Sequence, residues 1–135
     1  MLFANGRPAS FSGLLHRPHP MVNDIIGFSR TVTLPDWQGL GLALALGDTV
    51  ASAYKAIGKR VHKYPAHPSY MRALDRSPHW RLVKRPGFKE LRRGRSNLRG
   101  VREGTATPLG GRPCAVFDYI GPAMDRIEAE RLIRG

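Results

Sequence analysis

The residues of this chain that could bind a metal ion are five histidines and one cysteine, and their spacing does not favour a metal site. His16 and His19 lie three apart in a proline-rich stretch, and no two histidines have the four-residue spacing that places both rings on one helix face. Cys114 has no second cysteine to complete a metal-binding pair. The sequence therefore predicts no metal site, and no motif supports a cysteine or histidine nucleophile.

Three glycines and an aspartate form a second cluster that could do chemistry. Gly39, Gly41 and Gly47 follow the spacing G-x-G-x₅-G, which resembles a dinucleotide-binding loop only loosely, and no strong strand is visible ahead of them. We therefore predict no cofactor. In a helix, these glycines favour close packing, and Asp48 is expected to bond a neighbouring element more readily than to relay protons. The predicted helix-packing residues are Gly39, Gly41, Gly47 and Asp48.

The charge of the chain is concentrated in one basic segment, residues 59–112. This segment has fifteen Lys and Arg against three acids, a surplus equal to the +12 of the whole chain. Most of the cations are arginines, which bind phosphate in bidentate fashion. Such a segment indicates an anionic partner: an anionic phospholipid such as cardiolipin, or ribosomal RNA. The candidate phosphate-binding residues are Lys59, Arg60, Lys63, Arg92, Arg93 and Arg95.

The element expected to position these groups is a long central helix over residues 36–62. Asp36 suits its N-cap, and Gly58 followed by cations suits its C-terminus. Residues 37–57 are long enough to cross a bilayer, but the central Asp48 offsets most of the gain from the leucines. Three interpretations stay open: a transmembrane span, a helix buried in protein, and a strand over residues 40–46.

The rest of the chain is expected to be largely irregular. Residues 1–35 read as an N-terminal arm with short apolar or β-branched runs, and residues 63–112 as a basic extended arm with a short helix near 69–76. Residues 113–135 combine a strand-like segment, 114–120, with a C-terminal helix over 122–134. Because Gly and Pro make up 26 of 135 residues, we expect a mainly α, small and extended fold without an independent core.

These features favour a structural function. The first acid of the chain is Asp24, and an acid-free leader with Arg and Ser is typical of organellar targeting. We therefore expect a non-catalytic accessory subunit of a mitochondrial inner-membrane complex, either a respiratory complex or ATP synthase. Its partners would be other subunits and anionic lipid, with no small-molecule substrate. The alternative is an organellar ribosomal protein in the matrix that binds rRNA through its basic arm. The sequence predicts no enzyme.

Overall fold

The computed structural model describes residues 1–16, 21–87 and 114–135. These residues form a single mixed sheet of six strands with three short α-helices. The strands are β1 (Leu2–Ala4), β2 (Arg7–His16), β3 (Ile25–Thr33), β4 (Arg60–Lys63), β5 (Trp80–Gly87) and β6 (Cys114–Tyr119). The helices are α1 (Leu42–Ala56), α2 (Pro68–Arg76) and α3 (Arg126–Arg134). The strand order is β1-β2-β3-β4-β6-β5.

The N-terminal strands form an antiparallel meander. β1 and β2 are joined by Asn5 and Gly6, both with positive φ, which is the geometry of a two-residue hairpin turn. β2 pairs with β3 from Ser10↔Thr33 to His16↔Ile26. The register of this pair shifts between Gly13 and Leu14, so that β3 carries an extra residue there.

The centre of the sheet is a β-α-β unit. Strand β3 leads through a 3₁₀ turn at Pro35–Trp37 into α1, and α1 returns the chain to β4, which lies parallel to β3. Helix α1 starts only after Gly41, because Gly39 and Gly41 adopt left-handed φ values of 81° and 75°. It stops before Gly58, whose φ of 80° is typical of a helix C-terminus.

The remaining elements complete the antiparallel side of the sheet. β6 lies between β4 and β5 and is antiparallel to both. Helix α2 has Pro68 in its first turn, where proline is well tolerated. Helix α3 is capped by Asp125, whose carboxylate accepts hydrogen bonds from the Ile127 and Glu128 backbone amides.

A hydrophobic core lies between the sheet and the helices. Side chains from β3, β4, β5 and β6 meet side chains from α1 and α2, and Leu44, Val50, Tyr54 and Met71 pack around them. The cluster consists of Phe28, Ala51, Val61, Leu74, Trp80, Ala115, Phe117 and Tyr119.

The expectation of a mainly α, extended chain without its own core is therefore wrong. The predicted helix over 36–62 is correct only for its middle: the glycines delay its start to Leu42, and residues 60–63 form β4 because they pair with β3 and β6. The supposed N-terminal arm contributes three strands. The predicted helix over 122–134 begins later, at Arg126. The strand at 114–120 and the short helix near 69–76 are confirmed by β6 and α2.

The structure also bears on the possible transmembrane span over residues 37–57. Of the helices in the described parts of the chain, none has the combined length and apolar character that a bilayer crossing requires.

Candidate functional site: a cleft between two diverging parallel strands

The candidate site begins where the parallel strands β3 and β4 separate. Their pairing is confined to Ile25↔Arg60, Ile26↔Val61 and Gly27↔His62, although β3 continues to Thr33. The bulge in β3 between Phe28 and Arg30 comes directly after the last pair, and bulges bend and twist the strand that carries them. Within the described part of the chain, no strand pairs with the β4-facing edge of β3 beyond Gly27. That edge therefore offers backbone hydrogen-bonding groups to a ligand.

A cleft of about 190 Å³ occupies this gap. One wall is β3 from Phe28 to Thr31, and the other is the end of β4 with the chain that leads into α2. The volume is below the range of roughly 300–1,000 Å³ that is usual for drug-sized ligands. A thin, extended ligand arm therefore suits it better than a bulky one. The cleft is lined by Phe28, Ser29, Arg30, Thr31, Lys63, Tyr64, Pro65, Ala66, His67 and Tyr70.

The first turn of α1 adjoins this cleft. The Tyr70 hydroxyl, part of the lining, donates a hydrogen bond to the Ala43 carbonyl at 3.3 Å. The preceding glycines are exposed, and a Cβ added at Gly39 or Gly41 would meet no atom within 4 Å. Among the described residues, no side chain caps this helix end, and the Leu44 and Ala45 amides donate to the Gly41 carbonyl, so the amides of Leu42 and Ala43 are the ones without an intrahelical partner. Free amides at the positive end of a helix suit an anionic group such as a phosphate.

Tyr70 supplies a phenol on the inner wall of the cleft. It lies in the first turn of α2, where Pro68 starts the helix and directs the ring back toward β4. Its oxygen accepts a hydrogen bond from Lys63 Nζ at 2.5 Å. Burial raises the pKa of Tyr70 above its ordinary value, so the phenol keeps its proton at neutral pH. Such a group can donate a proton to a base that forms in the cleft.

Lys63 is the least expected member of the lining. Its side chain is only 1% exposed, and Nζ lies 4.5 Å from the Trp80 ring centroid and 4.7 Å from that of Phe28. Burial lowers the pKa of Lys63 to about 7, an effect that Asp48 opposes. Gly47 makes this position possible, because a Cβ there would overlap the lysine amine.

Asp48, the next residue of α1, belongs to a separate network. Its two oxygens accept a hydrogen bond from Trp80 Nε1 at 2.6 Å and contact His79 Nδ1 at 3.0 Å. Both partners lie at the start of β5, so the carboxylate fastens α1 to the antiparallel side of the sheet. These contacts of Asp48 hold the helix against the sheet and lie outside the cleft lining.

The residues that the sequence singled out are dispersed. Lys59 lies in the turn after α1, Arg60 is exposed at the start of β4, and Lys63 faces the core and the cleft, so these three share no surface. Arg92, Arg93 and Arg95 lie outside the described residues. Of the glycines, Gly39 and Gly41 precede α1 instead of packing inside it, and Gly47 packs against Lys63.

Sequence reasoning missed the cleft itself and the role of Tyr70. The signals were the hairpin dipeptide Asn5-Gly6 and the β-branched run at 31–33, which together indicate that a strand precedes the glycine turn. With a strand assigned there, the glycines read as the turn between a strand and α1. The burial of Lys63 has no local signal.

Comparison of the chain with models of known protein families, with curated proteins and with solved structures finds no match.

Proposed function

We propose that this chain binds coenzyme A thioesters in the β3–β4 cleft and transfers their acyl group to an amine. The observation that carries the proposal is the divergence of the sheet's parallel strand pair, which opens a cleft beside the N-terminus of the connecting helix. Ligands of α/β sheets bind outside the carboxyl ends of parallel strands, at such a point.

The shape of the cleft selects the ligand class. A free strand edge along β3 suits an extended chain with amide groups, and the glycine turn before α1 suits a diphosphate. Coenzyme A joins these two chemical parts: its pantetheine arm carries two amides and is linked to a diphosphate. A dinucleotide has no such arm, and the spacing G-x-G-x₅-G also departs from the dinucleotide pattern.

The proposed acyl transfer is based on the Tyr70 hydroxyl at the inner wall of the cleft. An amine that attacks a thioester carbonyl expels a thiolate, which requires a proton. The Tyr70 hydroxyl is the proton donor at this wall, and because burial raises its pKa, the transfer has to be coupled to the hydrogen bond that its oxygen accepts from Lys63. The backbone edge of β3 fixes the thioester arm, so the chain's part is to bind, orient and protonate.

The experiment is calorimetric titration of the full chain with coenzyme A, followed by competition with ADP and with pantetheine. We expect one saturable site per chain and competition by both fragments. Gly41→Ala should weaken binding about tenfold, because an L side chain disfavours the left-handed turn that presents the helix amides.

Gly58→Ala is the matched control. Gly58 has nearly the same φ, 80° against 75°, equally open space and a place at the opposite end of the same helix. It should lose similar stability and keep its affinity. Failure of the wild-type chain to bind coenzyme A, or equal weakening by both substitutions, would contradict the proposal.

The accessory-subunit hypothesis, its mitochondrial inner-membrane location and the rRNA alternative stay predictions, as does the expectation that the chain is no enzyme. One described feature favours a polyanion as a further partner, since Arg81, Lys84 and Arg85, which lie within the basic segment, are exposed along β5. The acyl-transfer proposal is preferred because it uses a formed cleft.

A further inference from the structure

A buried amine lies directly behind the Tyr70 hydroxyl. Lys63 Nζ is surrounded by the rings of Phe28, Trp80 and Tyr70, with centroids at 4.7, 4.5 and 5.1 Å. Its hydrogen bond to the Tyr70 oxygen is the shortest polar contact at the cleft wall. A lysine almost never occupies such a place unless a partner retains it.

The fold makes special room for this amine. Gly47 lies inside α1, where glycine is less favourable than alanine. A methyl group at this position would overlap Lys63 Nζ and crowd Cε, while the Tyr70 oxygen lies 3.6 Å from the same point. One small residue thus keeps the amine and the phenol together.

The charged and titratable groups that face the amine come from two helices. Asp48 on α1 acts on it at longer range and favours its charged form, whereas burial disfavours that form more strongly. Tyr70 on α2 is in direct contact. The side chains contributed by β3 and β5, Phe28 and Trp80, carry no charge. As a result, the pKa of Lys63 is about 7, and both protonation states are accessible near neutral pH.

We propose that Lys63 is a positioning residue for Tyr70, which it holds at the cleft wall and resupplies with a proton during acyl transfer. This inference deepens the proposed function and rests on it. When the amine substrate displaces the thiolate, the Tyr70 hydroxyl proton passes to sulfur. The Lys63 ammonium then returns a proton to the phenolate oxygen and becomes a neutral amine. The proton lost by the attacking nitrogen reaches Lys63 through the Tyr70 hydroxyl, its hydrogen-bond partner, and restores the ammonium, so charge and atoms balance.

The test is an NMR titration of the full chain with ¹³Cζ-labelled tyrosine, in the absence of any ligand. The Tyr70 resonance is identified by its loss in Tyr70→Phe. We expect this resonance to inflect near pH 7 in the wild type, because the hydrogen bond at the phenol oxygen changes when Lys63 loses its proton. The inflection should vanish in Lys63→Met and persist in Lys84→Met, whose lysine is exposed on β5.

Gly47→Ala provides a second variant that keeps the lysine but displaces its amine, so it should shift or abolish the same inflection.

The kinetic test uses acetyl-coenzyme A as donor and hydroxylamine as acceptor. Lys63→Met should lower kcat at least about tenfold and leave KM for acetyl-coenzyme A unchanged. An inflection that survives in Lys63→Met, or its absence from the wild type, overturns the inference. A normal titration in a chain that binds no coenzyme A would instead overturn the acyl-transfer function alone.

Discussion

Two polar clusters border the middle of α1, and they differ in how completely their polar groups are bonded. Asp48 has a partner for each oxygen, the indole N–H of Trp80 and the ring of His79. One residue earlier, Gly47 seats the Lys63 amine, whose hydrogen-bond partner is the phenol of Tyr70. The Asp48 cluster joins α1 to the sheet, and the Lys63–Tyr70 cluster lines the cleft.

The comparison shows that two adjacent positions of α1 border polar groups of different kinds, a carboxylate at Asp48 and a buried amine beside Gly47. A carboxylate that already accepts strong hydrogen bonds has little left to offer a substrate. A buried amine costs folding free energy, because burial disfavours its charged form and lowers its pKa. Trp80 belongs to both clusters, with its N–H on Asp48 and its ring beneath Lys63.

The largest expected effect is on the pH dependence of stability. The folded pKa of Lys63, about 7, lies below the ordinary value of 10.5, so the unfolded chain binds more protons between these values. The free energy of unfolding should therefore rise with pH across this window, by on the order of 4 kcal/mol. Denaturant unfolding at pH 7 and pH 10.5 measures it. The rise should be absent in Lys63→Met. An equal rise in both proteins would show that the Lys63 amine does not cause it.

A slightly smaller effect is expected from Asp48→Ala. The substitution leaves the Trp80 N–H and the His79 ring without their acceptor, and we expect a loss of about 3 kcal/mol in unfolding free energy. Coenzyme A affinity should stay within about twofold, because Asp48 is not part of the cleft lining. The control is Asp36→Ala in the exposed 3₁₀ turn. Loss of binding without loss of stability would assign Asp48 to the site.

The smallest effect on stability is expected from Tyr70→Phe. The substitution leaves the buried Lys63 amine without its hydrogen-bond acceptor, so the cost should be about 2 kcal/mol, while acyl transfer should fall at least about tenfold. The measurements are thermal unfolding and transfer to hydroxylamine. Tyr54→Phe, a tyrosine packed against the core outside the cleft lining, is the matched control. Equal turnover in both variants would remove Tyr70 from the reaction.

Part of this fold was accessible from local sequence signals. The strand character of β6, the short helix near 69–76 and the glycine that follows α1 were all predicted, because each depends on a few neighbouring residues. The glycine turn was visible too, but it was assigned to the inside of a helix. Its meaning depended on β3, which β-branched residues indicate only weakly until a partner strand is known.

Residues close together in the chain fix the local endpoints: Gly41 and Gly58 bracket α1, Asp125 caps α3, and Asn5-Gly6 turns the first hairpin. The tertiary structure alone decided that residues 60–63 extend as β4, that β3 and β4 part after three residue pairs, and that Lys63 is buried. The difference lies in how far apart in the sequence the interacting residues are. Caps and turns are set by φ preferences and hydrogen bonds within a few residues, whereas strand pairing and burial depend on partners far apart in the chain.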